Sequence, residues 1–144
     1  MSKYLEAARD RFASYWIEGG ATEEQVRLLE RTLGCRLPVS YRLFLLSAGA
    51  MAGRGDSYIS GIIEGDPLCP KGGSLYGDTL RGREELGLPE LLVIFQWDDE
   101  APYCLDLSEQ PDGENSVICY ESFSGARTVV ARDFDDWFER FFLA

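Results

Sequence analysis

The spacing of apolar and polar positions divides the chain into an N-terminal helical half and a C-terminal half dominated by short strands. Tyr4, Leu5, Ala8, Phe12, Tyr15 and Trp16 recur at three- and four-residue intervals, which predicts a first helix with these residues on one side, ending near Gly19-Gly20. Thr22-Glu23-Glu24-Gln25 has the form of a capping box. In such a box the Thr22 hydroxyl accepts from the Gln25 backbone and the Gln25 side chain reaches back, so a second helix starts here with Val26, Leu29 and Leu33 as its apolar stripe. Gly34 suits the left-handed residue that ends a helix, and Pro38 presets the first turn of the next. In that third helix Tyr41, Phe44, Leu45 and Ala48 share a buried face that Gly49 closes, which makes it the spine of the N-terminal half.

After Gly49 the glycines of residues 51–57 suggest a flexible link into a strand over 58–63. Residues 64–76, rich in Gly and Pro, read as a long surface loop of the kind that carries recognition. Asp78 then caps a short helix over 79–86, weakened by Gly82 and ended by Gly87-Leu88-Pro89. Residues 91–97 are apolar on both faces, the mark of a central strand. Two further runs, 102–107 and 116–121, flank Pro111-Asp112-Gly113 and should pair as a hairpin, and another strand over 127–131 follows Ser124-Gly125. Asp133 caps a last helix whose Phe134, Trp137, Phe138, Phe141 and Phe142 are too aromatic to face water on more than one side. Helices, then strands, then a helix indicate α+β architecture: N-terminal helices and a C-terminal helix packed on a mainly antiparallel sheet of about five to six strands.

These residues also carry a resemblance. A helix ending in Glu30-x-x-Leu33-Gly34, then Leu37-Pro38-x-Ser40-Tyr41, an apolar turn and a glycine, resembles the opening signature of the SUKH superfamily, which groups Smi/Knr-type cell-wall-assembly regulators with bacterial immunity proteins. Gly87-Leu88-Pro89, Tyr103-Cys104-Leu105-Asp106, a glycine-containing turn, Val117 and Asp133-Phe134-x-x-Trp137-Phe138 follow in the family's order, so the resemblance spans residues 12–142. It implies a SUKH-like fold and one of two roles. Bacterial members are immunity proteins that bind and neutralise a polymorphic toxin, often a nuclease. The fungal members imply a regulatory scaffold that binds signalling partners through long disordered flanks, of which these 144 residues contain none.

A chain of 144 residues is expected to form a single domain over 1–144 and to bury about 70% of its unfolded surface. No apolar run approaches the ~20 residues that cross a bilayer, and charges at Lys3 and Glu6 interrupt what would be the apolar core of a secretion signal, so a cytoplasmic location is expected. Cysteines at 35, 69, 104 and 119 include no Cys-x-x-Cys pair, and the chain has no histidine, so neither a metal nor another cofactor is expected. Cys104 and Cys119 would be neighbours if their strands pair across the turn, although free thiols are the expectation in a reducing cytosol.

Without histidine no Ser-His-Asp or Cys-His centre can be built. Gly53-Arg54-Gly55-Asp56 lacks the Gly-Lys-Ser/Thr of a phosphate loop. Carboxylate chemistry remains, with Asp98, Asp99 and Glu100 as acid and nucleophile candidates. Sequence neighbours seldom reach the separation that chemistry needs, and three acids between two apolar strands read as a solvated turn. The chain is therefore expected not to be an enzyme.

Charge sharpens the partner. Residues 84–126 hold eleven of the 25 acids and no lysine or arginine, so the remaining fourteen acids match the fourteen bases and the whole net charge of −11 belongs to this segment. That surface disfavours nucleic acid and anionic membranes and favours a basic protein, the alternative being an acidic face that serves only to keep the protein dispersed. Joined to the resemblance, the partner becomes a basic toxin domain, bound by a chain expected to be a monomer. The candidate contacts are Glu64 and Asp66 on the loop, Asp98, Asp99 and Glu100 on the turn leaving the central strand, and Asp112 and Glu114 on the hairpin turn, all expected to be exposed. Trp97 and Tyr120 are the candidate aromatic anchors, with an ordinary core position as the equal alternative.

Overall fold

A computed structural model describes residues 2–108 and 111–144. Ser2 caps the first helix, α1 (Lys3–Arg11), by accepting from the Leu5 N–H, and Tyr4 and Ala8 are its buried residues. The helix stops well short of Gly19. Phe12 is already extended (φ −110°, ψ 139°), and Trp16–Ile17 forms a strand, β1, antiparallel to β2 (Met51–Ala52), which pairs in turn with β3 (Tyr58–Ile59). Tyr15 and Trp16 are consequently exposed, Trp16 stacking on Tyr58 at 6.0 Å. A two-residue strand leaves no periodicity to read, and its backbone partners, Ala52 and Met51, lie far along the chain. The expected flexible link over 51–57 is likewise β2 with a turn closed by a Gly53 N–H to Ser57 bond of 2.9 Å.

The second helix, α2 (Glu23–Leu33), begins as expected. Gln25 donates to the Thr22 hydroxyl at 3.1 Å, Thr22 donates back to the Gln25 side chain at 2.9 Å, and Gly34 ends the helix at φ 77°. Beyond Pro38, α3 (Val39–Ser47) buries Ser40, Tyr41, Phe44 and Leu45. The next helix, α4 (Leu75–Glu85), starts earlier than Asp78 implies, because Ser74 supplies the cap by accepting from the Gly77 N–H. Asp78 lies inside the first turn, 2% exposed, where it accepts from the Ser60 hydroxyl and the Gly73 N–H. Gly82 serves packing as well: a Cβ there would fall 2.4 Å from Ile94 Cδ1, so its absence lets α4 lie close on the sheet.

That sheet has four antiparallel strands in chain order, β4 (Leu92–Gln96), β5 (Tyr103–Asp106), β6 (Val117–Tyr120) and β7 (Arg127–Ala131). The strands of the α+β fold are thus divided between two sheets. β4 is an edge of the larger one rather than its centre, yet four of its five residues are buried. Its outer edge is satisfied from elsewhere: Ile94 N–H donates to Thr79 Oγ1 at 3.0 Å, and Phe95 C=O accepts from the Ser60 N–H at 2.7 Å, which ties the two sheets together.

The faces of the sheet carry separate clusters. On one, Val93, Phe95, Leu105 and Val117 meet α1, α3 and α5 (Phe134–Trp137), which Asp133 caps and which runs on as a π-helical turn, Phe138–Phe142. Phe95 meets Trp137 edge-on at 4.6 Å, and Phe134 meets Tyr41 at 5.2 Å. On the other face Leu92, Ile94, Cys104, Ile118 and Tyr120 pack with Leu88, covering less of the sheet and leaving Val129 of β7 65% exposed. Cys104 pairs with Ile118 and Tyr103 with Cys119, so the two cysteines stand on opposite faces. Strand pairing alone does not make them neighbours, and all four thiols are free.

Where β1, the end of α3 and the chain after β3 meet, backbone lies on backbone. A Cβ on Gly61 would be 1.7 Å from the Gly49 carbonyl oxygen, one on Gly49 2.2 Å from that of Gly19, and one on Gly20 2.2 Å from that of Leu46. The Ile62 N–H to Gly49 (3.0 Å) and Gly19 N–H to Ala48 (2.9 Å) bonds hold these segments together.

Candidate functional site

The β4–β5 and β6–β7 connections leave the same end of the four-stranded sheet, because the strands alternate in direction. They are bonded to one another: Ser122 N–H donates to the Glu100 carbonyl at 2.9 Å. The first turn is shaped by its own acids. Asp98 Oδ2 accepts from the Glu100 and Ala101 amides at 3.0 and 2.8 Å, and Asp99 Oδ1 accepts from the Trp97 indole at 2.8 Å. Trp97 is half-buried against the smaller core, with the Arg81 guanidinium 4.0 Å over its ring. In the second turn, closed by Gly125 N–H to Glu121 at 2.8 Å, Phe123 is 86% exposed, far more than any other large apolar residue of the described chain. Phe123 therefore stands at a sheet end carrying Asp98, Asp99, Glu100 and Glu121, with Arg127 opposite Tyr120 at the start of β7.

A sequence model of the SMI1 / KNR4 family (SUKH-1) matches residues 20–140. The chain belongs to that family. A crystal structure of a protein from Pseudomonas syringae pv. tomato is similar over 99% of this chain and 98% of that one, with a TM-score of 0.66 at 19% identity, which establishes a shared fold.

In this SUKH-1 chain the nine candidate contacts do not form one surface. Trp97, Asp98, Asp99 and Glu100 share the sheet end just described. Asp112 is exposed in a short turn at the opposite end, on the β5–β6 connection. Glu114 on that connection is half-buried rather than exposed, its carboxylate accepting from the Ser40 amide at 3.0 Å and the Ser40 hydroxyl at 2.7 Å. Glu64 and Asp66 are exposed beside the start of α2, where Gln25 donates to the Gly65 carbonyl at 3.0 Å. There Glu64 pairs with Lys71 at 3.0 Å, and Asp66 accepts from the Leu68 amide at 2.9 Å. Tyr120 is 5% exposed, its ring in the smaller core and its hydroxyl donating to the Gly87 carbonyl at 3.1 Å, so it presents nothing to a partner.

Two exposed residues of the SUKH-1 sheet end are not among the candidates that the sequence suggests, Phe123 and Glu121. The available signal was a single aromatic inside a run of turn residues, Ser122-Phe123-Ser124-Gly125, where a core residue has no place. Among the described residues no group of three His, Cys, Asp or Glu side chains could hold a metal ion, and no helix is long and apolar enough to cross a membrane.

Proposed function

We propose that this SUKH-1 chain is an immunity protein that binds and neutralises a polymorphic bacterial toxin in the cytoplasm, a nuclease-type domain by preference, through the acidic end of its four-stranded sheet. The observation that carries the reading is Phe123, 86% exposed on a turn bonded to the neighbouring acidic turn. An exposed aromatic with a charged rim has the composition of an interface hot spot before its partner arrives. Nuclease clefts are positive because they hold phosphates, so Asp98, Asp99, Glu100 and Glu121 supply complementary charge that speeds encounter and rejects other partners. The reading requires no catalysis by this chain: Asp98 and Asp99 are hydrogen-bonded within their own turn.

The test uses the toxin encoded beside this gene, mixed with the full chain in a stopped-flow instrument while salt rises from low to physiological strength. Steering predicts a falling on-rate, and Glu100→Lys with Glu121→Lys should lower it about tenfold further at low salt. These two are the informative reversals because their carboxylates make no hydrogen bond or ion pair among the described residues, whereas Asp98 holds its turn in shape. An on-rate indifferent to both salt and reversal would place the toxin-binding surface elsewhere.

A further inference from the structure

The two edges of the four-stranded sheet are finished differently. β4 is bonded along its outer side to Thr79 and Ser60, whereas β7 has no strand beyond it among the described residues. Tyr120 N–H donates to the Pro102 carbonyl at 3.1 Å, so Tyr120 and, two residues back, Ile118 turn their backbone groups towards β5. Their partners on β7, Arg127 and Val129, therefore turn their own N–H and C=O groups to the open side, while Thr128 between them faces Cys119 of β6. The open stretch is short. Past Val129 the register with β6 shifts, and the Val130 carbonyl accepts from the Arg140 guanidinium at 2.6 Å, which blunts that end of the edge. Residues 127–129, beside the Phe123 turn, are left unpaired. Val129 also continues the row of Cys104 and Ile118 on the face of the smaller core, and it is the exposed last member of that row.

We infer, on the basis of the toxin reading, that residues 127–129 accept an extended segment of the toxin as a fifth strand, with an apolar side chain opposite Val129. Outward N–H and C=O groups on alternate residues of a strand are matched by another extended main chain and by no single side chain. The row of Cys104, Ile118 and Val129 calls for an apolar neighbour, since cross-strand pairs of like character stabilise a sheet. The added strand would lie beside the Phe123 turn, so backbone bonds and aromatic anchor belong to one surface. A second copy of this chain fits less well. Matching Val129 with its own counterpart sets residue 127 against residue 131 across the shifted register, where Arg140 already holds the Val130 carbonyl. Centring the pair on Thr128 instead sets Val129 against Arg127, and two chains of net charge −11 repel.

Amide hydrogen exchange, followed by NMR on the isotope-labelled full chain alone and with the toxin encoded beside this gene, tests it. In the free chain the Arg127 and Val129 amides should exchange fast and the Thr128 amide, which faces β6, slowly. In the complex the first two should slow about 100-fold or more. Val129→Lys should speed dissociation of the complex about tenfold, because a lysine on an edge strand opposes pairing. A complex in which the Arg127 and Val129 amides exchange as before, or from which Val129→Lys dissociates no faster, overturns the added strand and leaves the toxin reading standing. Failure of the chain and that toxin to form a complex overturns both. Slowing of the same two amides in the chain alone as its concentration rises, with a doubled mass in sedimentation, would give the edge to a second copy and overturn the assignment to the toxin.

Discussion

Ser40 and Glu114, 74 residues apart in sequence, share two hydrogen bonds, from the Ser40 amide at 3.0 Å and its hydroxyl at 2.7 Å. Pro38, at the cap position of α3, has no side-chain bond to offer, so a carboxylate from the β5–β6 connection caps the helix and also meets the positive end of its dipole. Glu114→Ala should therefore cost about 1.5–3 kcal/mol, the range for a hydrogen bond to a charged group. Urea unfolding checks this, and Glu114→Gln should recover part of the loss. A midpoint indistinguishable from wild type would show the cap to be dispensable.

Phe44 is fully buried between the rings of Tyr4 at 5.6 Å, Tyr41 at 5.9 Å and Phe134 at 5.3 Å. Phe44→Ala is expected to lose about 3–5 kcal/mol in the same measurement, because rings held by α1, α3 and α5 cannot collapse into the space together.

Burial raises the Asp78 carboxyl above its usual range, against the Ser60 hydroxyl, the Gly73 amide and the Arg81 charge, all of which favour ionisation. Above the ordinary carboxylate pKa the unfolded chain has released this proton while the folded chain still holds it. The Asp78 contribution is therefore complete in acid and is lost as pH rises through the folded pKa. Asp78→Asn, whose carbonyl can keep both accepted bonds, should gain stability relative to wild type as pH rises from about 4 to about 7. Urea curves at several pH values that stay parallel for the two proteins would contradict this.

Cys35 and Cys119 are half-buried, whereas Cys69 and Cys104 are buried, and burial raises the Cys104 thiol furthest above its usual range. Alkylation of the native protein, followed by peptide mass analysis, should therefore modify Cys35 and Cys119 before Cys69 and Cys104. Mild oxidation should leave Cys104 and Cys119 unlinked, since they stand on opposite faces of the sheet. A Cys104–Cys119 disulfide in soluble, folded protein would require a different strand register.

Phe123→Ala should leave the unfolding midpoint within about 0.5 kcal/mol of wild type, as exposed substitutions do. The same change should slow formation of the toxin complex little and speed its dissociation about tenfold or more, as loss of an aromatic anchor does. Surface plasmon resonance separates the two rates.

The features legible in the sequence were those whose causes are local. Thr22 and Gln25 satisfy each other within one turn, Gly34 and Pro38 fix backbone angles, and Phe134, Trp137 and Phe138 are apolar enough to demand burial wherever the helix lies. What escaped depends on distant partners. Tyr15 and Trp16 continue the helical spacing of Phe12, but pairing with Met51–Ala52 pulls the chain straight. Asp78 has the chemistry of a cap, yet Ser60 draws it inward while Ser74 takes its place. In the candidate site the acids were visible and their grouping was not. Glu114 looks like Asp98 in sequence, and only the approach of Ser40 turns it from a surface charge into a helix cap.

The contact of main chain with main chain at Gly20, Gly49 and Gly61 governs how far this protein can be redesigned. A clash between side chains can be relieved by a smaller neighbour, so a damaged core often has second-site suppressors. Here the obstructing atoms are carbonyl oxygens, and no substitution elsewhere removes a carbonyl oxygen. Alleles at these three positions should therefore resist rescue, and a library meant to redirect binding would hold them constant while varying the turns at 97–101 and 121–126.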